Sequence, residues 1–489
     1  MYRLCLIVPL LCLLHSPFAA AGPGDFDASF GVEGKAAVAF DLPGGDRDDQ
    51  ALASFPLADG KLMVVGTVSP DGSSGVVRLG FTRLLANGSV DPSYGSGGKF
   101  SVETALLTVV SAGTDNAGRF YVGGAFLDPG NLDIEFGVQR FNTDGTADLG
   151  YGFFGLAAAA FDRGGNNEDR LRSIRVAPGG EVYAVGRIKV GAGADFDFGV
   201  AKFNPLGALD NNFDGDGLRT IAFDLDGTVR EDDAQAIADF DPNRLVIAGT
   251  ALRSSGQRVV AVAVINSISG AFTGNFCNAG SCQGSVQESL VSGPGRRTLA
   301  FDPQGVQPTD TVFAAAMFVA IGGGPIAIAG RSTDGQSTRG ALAILRGDGT
   351  LATTGPQPFG RLLVDLFNPT ALTAVAYDVG RSRWLLGGRA GTTELRYAFA
   401  ASTDSTPTLV AGFGINGSGP PDFQLIQFPR SGTGAIENEI ASAIVDAQGR
   451  YLLTGRRLWT RSSGIEDNDF AVTRLADQTG GAIFANGFE

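Results

Sequence analysis

With 72 Gly, three Met and two Trp among 489 residues, and 44% hydrophobic against 18% charged residues, the chain has the composition of short strands joined by tight turns rather than of a long helical domain. Its formal net charge of −14 sets the surface against nucleic acid and anionic membrane. Beyond the N-terminus no apolar run approaches the roughly 20 residues of a membrane span.

The chain opens on one cation, Arg3, an apolar run from Leu4 to Leu14, and the small residues Ala19, Ala20 and Ala21. This is the pattern of a signal peptide over residues 1–21, with cleavage near Ala21 and a mature chain from Gly22. Cys12 raises a lipid anchor, but Pro9-Leu-Leu11 lacks the small residue expected just ahead of a lipidated Cys. The expected location is therefore secreted, periplasmic or at the cell surface. Cys5 and Cys12 leave with the leader, and Cys277 and Cys282 then form a disulfide in an oxidising compartment. The sole histidine, His15, leaves as well, which excludes Ser-His-Asp and Cys-His catalysis and His-ligated metal centres.

Downstream, an apolar strand ending in glycine recurs seven times: Leu62-Met-Val-Val-Gly66, then strands closing at Gly124, Gly186, Gly249, Gly330, Gly388 and Gly455. By subtraction the spacings are 58, 62, 63, 81, 58 and 67 residues. Turns such as Asp59-Gly60-Lys61 and Gln448-Gly449-Arg450 precede several of these strands, and alternating strands such as Val138-Gln-Arg-Phe141 follow. An Asp then leads an aromatic, as in Asp27-Ala-Ser-Phe30, Asp91-Pro-Ser-Tyr94, Asp148-Leu-Gly-Tyr151 and Asp210-Asn-Asn-Phe213.

About four antiparallel strands per unit of roughly 60 residues is the arithmetic of a propeller blade. The expectation is an all-β, seven-bladed β-propeller over residues 22–479, followed by a C-terminal tail at 480–489. A solenoid is the competing architecture. Closure is favoured because the chain enters on Phe26 to Gly31, the segment that should follow the last complete strand at Phe470 to Leu475. The N-terminal strand is thus expected to complete the last blade.

At these residues the sequence resembles the bacterial delta-60 repeat family, whose units carry an Asp-x-x-Phe-Gly start, an Asp-Gly-Lys turn, a Val-x-Gly strand and an Arg-Leu-Asn-x-x-Gly end. The fifth and sixth units depart from it, having lost the leading Asp at Gly274-Asn-Phe276 and Gln357-Pro-Phe359. The resemblance implies an exported β-propeller and transfers no catalytic residue. The ending Ile483-Phe-Ala-Asn-Gly-Phe-Glu489 looks like a short tail of exported gammaproteobacterial proteins.

Three segments invite chemistry. Asp224-Leu-Asp-Gly-Thr-Val229 resembles the nucleophile loop of haloacid-dehalogenase-type phosphatases, but Ala39-Phe-Asp-Leu42 and Ala160-Phe-Asp-Arg163 show it to be a variant of the repeat. Asp210-Asn-Asn-Phe-Asp-Gly-Asp216 spaces oxygens like half a calcium loop, yet Ile221 stands where the bidentate Glu belongs. The 81-residue interval contains Arg296 and Arg297, which an enlarged surface loop would offer to an acidic group. With only Trp384 and Trp459, the Trp-rich signature of a quinone-cofactor propeller is missing.

The sequence reading assigns no catalytic residue, metal or cofactor, and takes the protein as an exported, non-enzymatic binding module for an unknown protein or glycan. The alternative is a carboxylate-based hydrolase or lyase, using calcium or not, with its site in the propeller channel.

Overall fold

A computed structural model describes residues 24–476 apart from 41, 43–47, 69–76, 165–167, 192, 194, 226–229, 278–281, 283–291, 303–308, 318–323, 353–359, 393–394, 405–406, 412, 414–421, 429–435 and 461–465. The leader and the C-terminal tail lie outside the described residues. The architecture is an all-β β-propeller without a helix among the described residues, and none of them forms a helix long and apolar enough to cross a membrane.

The strands fall into antiparallel groups of four. The first is Gln50–Pro56, Leu62–Val68, Arg78–Leu84 and Lys99–Glu103; the second is Thr108–Thr114, Phe120–Leu127, Ile134–Phe141 and Leu156–Ala159. The third runs Arg170–Val176, Val182–Lys189, Asp195–Phe203 and Leu218–Ile221, and the fourth Arg230–Asp241, Arg244–Leu252, Arg258–Asn266 and Arg296–Leu299, with the short Ser292–Gly293 strand added at its edge. Thr309–Met317, Ile326–Thr333, Thr338–Leu345 and Arg361–Val364 follow, then Thr370–Asp378, Arg383–Ala390, Leu395–Thr403 and Gln424–Ile426. Ile436–Val445, Tyr451–Thr460 and Glu466–Leu475 complete the series with Lys35–Val38, which pairs antiparallel to the Glu466–Leu475 strand, Ala36 opposite Val472.

The recurrent glycine has one physical cause. In each group the first strand carries a bulge, for example between Leu171 and Ser173, and the glycine of the second strand lies against it. A Cβ on Gly186 would stand 2.0 Å from the Arg170 carbonyl oxygen, and one on Gly455 1.9 Å from that of Glu439. No side chain fits there, so the sequence repeats Gly at each unit.

Hydrogen bonding joins the strands into five sheets, of eight, nine, four, four and four strands, which corrects the expectation of seven separate ones. The cause is the length of particular strands. Asp195–Phe203 runs on far enough for Asp195 and Phe196 to pair in parallel with Arg230 and Glu231, and Leu395–Thr403 meets Ile436 and Glu437 in the same way. At two other junctions the contact stops at a single bridge, Ile134 to Glu168 and Asp48 to Asn468, and the neighbouring groups stay separate.

The core lies between groups rather than within them. Met63, Phe81, Tyr94, Phe120 and Phe141 pack the first group on the second. Phe30, Val38 and Phe40 join Val64, Leu84, Leu452 and Phe470 in a cluster that draws on both ends of the chain.

Candidate functional site

The Asp-aromatic motif builds corners. Asp27, Asp91, Asp148 and Asp210 each accept the N–H two residues on, at 2.9, 3.0, 3.1 and 3.1 Å. Each also takes a cation from the third strand of its group: Arg474, Arg83 and Arg140 through Nε at 2.7–2.8 Å, and Lys202 through Nζ at 2.8 Å. The same guanidiniums cover the corner aromatic, Arg140 4.5 Å from the Tyr151 ring and Arg474 4.6 Å from Phe30. They then reach a neighbouring group, since Arg140 donates to Pro205 O at 2.6 Å and Arg474 to Ala86 O at 2.7 Å. These acids are structural.

The calcium-like segment is absorbed by this scheme. The Lys202 ammonium holds Asp210 below the usual carboxylate range, Asp214 pairs with Arg219 at 2.9 Å, and Asp216 accepts the Leu218 N–H at 2.8 Å. Asp224 of the phosphatase-like segment follows the Leu218–Ile221 strand and precedes the Arg230–Asp241 strand, with residues 226–229 outside the described residues. Arg296 and Arg297 correct the surface-loop expectation: Arg296 donates to Ala222 O at 2.6 Å, and buried Arg297 donates to Gly349 O. Both serve as latches to neighbouring groups. The stretches around them at 283–291 and 303–308 lie outside the described residues. Trp384 is buried against Tyr377 in the core.

Cys277 and Cys282 are joined in a disulfide, Cα to Cα 5.1 Å. Both are buried beside Phe276, and the Cys277 N–H donates to Asp348 O at 2.9 Å. The bridge therefore packs against a neighbouring group instead of stapling a free loop.

Sequence reasoning missed a set of acids at the junctions between groups. At the second junction, burial, reinforced by Asp128, Asp162, Asp169 and Asp133, pushes Glu135 up to about 7. At the third, burial with Asp195 and Asp224 pushes Asp197 up to about 7, and burial also raises Asp195. Asp232 rises to about 7 through burial although its Oδ2 accepts the Phe223 N–H at 2.6 Å. One signal was present: Asp133-Ile-Glu135, Asp195-Phe-Asp197 and Asp467-Asn-Asp469 place two acids on one side of a strand just before a buried Phe.

A groove opens between the first two groups. Leu57, Tyr94 and Phe100 give it an apolar wall, and Arg83, Thr143 and Asp144 a polar rim. Arg83 lies 5.0 Å from the Tyr94 ring and donates to Ser93 Oγ at 2.9 Å, while Asp144 Oδ1 accepts the Thr146 N–H at 2.9 Å. The rim is thus held in place before any ligand arrives.

Residues 57–94 match the sequence model of a family described as a domain of unknown function (DUF5122) β-propeller, which agrees with the fold. Comparison with curated proteins gives no match. Among solved structures the chain is similar to the α-L-arabinofuranosidase Arb93A from Fusarium graminearum, at 9% identity over 90% of this chain and 97% of that one, with a TM-score of 0.40. It is also similar to the β-propeller domain of the Trilobed protease from Pyrococcus furiosus, at 7% identity over 90% and 99%, TM-score 0.37. PorZ, a surface component of the type-IX secretion system of Porphyromonas gingivalis, aligns at 13% identity over 89% of this chain and 47% of that one, TM-score 0.37.

Proposed function

We propose that the protein is an exported, non-enzymatic binding module that takes a protein or glycan ligand in the groove between its first two strand groups. The observation that carries this reading is the groove's composition: an aromatic and aliphatic wall from Leu57, Tyr94 and Phe100 beside fixed polar groups at Arg83 and Asp144. Such a surface buries an apolar face of a ligand and orients its hydroxyls or amides. In this reading the five sheets form one closed ring, and the Lys35–Val38 strand completes the last strand group. Support comes from a repeated latch. Lys99 donates to Ala39 O at 2.6 Å across the chain ends, as Arg296 does to Ala222 O and Arg361 to Ala300 O at 2.8 Å along the chain. The buried disulfide supports an oxidising destination, secreted, periplasmic or at the cell surface.

The test is a glycan array together with a pull-down from cell envelope, comparing the natural chain with Thr143→Arg, which fills the groove from its exposed rim. The reading expects a saturable ligand retained by the natural chain and lost by the variant at unchanged melting temperature. Retention by both would move the site elsewhere. Turnover of a glycan substrate, abolished by Glu135→Gln, would instead favour the carboxylate hydrolase, the reading that the raised Glu135 supports.

A further inference from the structure

The junction between the third and fourth strand groups carries more negative charge than its surroundings neutralise. One oxygen from each of Asp195, Asp197 and Asp224 lies within 4.8 Å of the other two. Arg230 is the cation that acts on them, and it reaches the exposed member, 3.4 Å from Asp224 Oδ1. Asp232, the next acid in the wall, is committed to the Phe223 N–H.

A second observation does not depend on the clustering. Asp197 is only 7% exposed, and its Oδ1 is buried without a hydrogen-bond partner. A carboxylate oxygen withdrawn from water and given no donor is costly and calls for a compensating group. The matching position in the last strand group shows how the chain otherwise supplies one. Asp469, like Asp197, stands two residues before the residue that faces the recurrent glycine, and its cross-strand partner is Arg457, which donates to it through Nε at 2.9 Å and Nη2 at 2.6 Å. The cross-strand partner of Asp197 is Ile188. An apolar residue thus stands where the cation would, and Asp195 and Asp224 each bring a carboxylate oxygen within 4.8 Å of one of the Asp197 carboxylate.

We infer that Asp195, Asp197 and Asp224 bind one calcium ion at this junction, with Asp197 Oδ1 as its buried ligand. Calcium takes hard oxygen donors at about 2.3–2.6 Å, so donors around it stand up to about 5 Å apart, whereas magnesium draws its donors within about 4.2 Å in strict octahedral geometry. Oxygens held within 4.8 Å of one another fit inside the coordination shell of the larger ion, and the titration with each metal decides between the two. Partly exposed Asp195 and exposed Asp224 give the ion its entry path, and water completes the coordination there. Bound at this place, the ion ties the third strand of one group to the strand connection that leads into the next.

The test uses the full mature chain, stripped with EDTA and exchanged into metal-free buffer, titrated calorimetrically with CaCl₂ and separately with MgCl₂. The expected result is one calcium per chain, weaker magnesium binding, and a melting temperature raised by roughly 2–4 °C at saturating calcium. Asp197→Asn should abolish the binding and Asp224→Asn weaken it by about tenfold or more. Asp214→Asn, in the other Asp-rich segment, should bind as the natural chain does. Should Asp197→Asn fail to fold, Asp224→Asn at the exposed edge decides. Absence of saturable calcium binding by the natural chain, binding unchanged in Asp224→Asn, or magnesium bound more tightly than calcium would each overturn the assignment.

Discussion

The hydroxyl of Thr454 donates to the hydroxyl of Ser54 at 2.7 Å, both buried and 400 residues apart in the chain. The pair sits where the first and last strand groups meet, and the Asn468 amide makes a second link there by donating to Asp48 at 2.6 Å. Contacts so distant in sequence report directly on how the chain ends are held.

Ser54→Ala removes the acceptor of a buried donor and should cost about 1–2 kcal/mol, and Thr454→Val a similar amount. The double variant should cost clearly less than the sum, because no polar atom is then stranded. Urea denaturation of the four proteins measures the coupling. Additive losses would mean that the two hydroxyls do not interact.

Replacing a recurrent glycine tests the explanation of the repeat. Gly186→Ala places a Cβ 2.0 Å from the Arg170 carbonyl oxygen, a backbone atom that cannot move aside without displacing the strand. The expected loss is about 3 kcal/mol. Gly193→Ala, where nothing lies within 4 Å, should stay within about 0.5 kcal/mol. Equal and small effects at both sites would remove the steric account.

Much of the fold is legible in the sequence for this reason. The closing glycines mark where the second strand meets the bulge of the first, and Asp91, Asp148 and Asp210 mark the corners, so repetition of steric and hydrogen-bonding demands becomes repetition of letters. The fused sheets were not legible, because they turn on whether Asp195–Phe203 extends two residues further than Arg78–Leu84. The acidic junction was hidden for another reason. Asp195 and Asp197 look like an ordinary alternating strand, and Asp224 comes from a separate segment that only folding brings alongside. Arg296 and Arg297 misled because a stretch inserted in sequence still carries residues that latch neighbouring groups.

Asp310 links stability to pH. Its burial raises it to about 7, against an unfolded value near 4, although its Oδ2 accepts the Phe301 N–H at 2.9 Å; Asp302 opposes its ionisation and Arg361 favours it. A carboxyl raised on folding contributes stability that is complete below about pH 4 and is lost as pH rises through about 7. Asp310→Asn keeps an acceptor for Phe301 and cannot ionise. The difference in stability between variant and natural chain should therefore shift in favour of the variant as pH goes from 5 to 8, followed by thermal melts in parallel. A pH-independent difference would show that Asp310 keeps one protonation state over that range.

The most direct measurement is a crosslink between the chain ends. Ala36 faces Val472 and Ala37 faces Ala471 across an antiparallel ladder, within the range of Cα separations that a disulfide spans. Cysteine pairs at these positions, oxidised in dilute protein and read by intact mass and non-reducing electrophoresis, should give an intramolecular bridge in a monomer that retains cooperative unfolding. A folded, monomeric protein in which neither pair crosslinks would contradict the pairing of the N-terminal strand with the last group, and with it the closed ring proposed for the binding module.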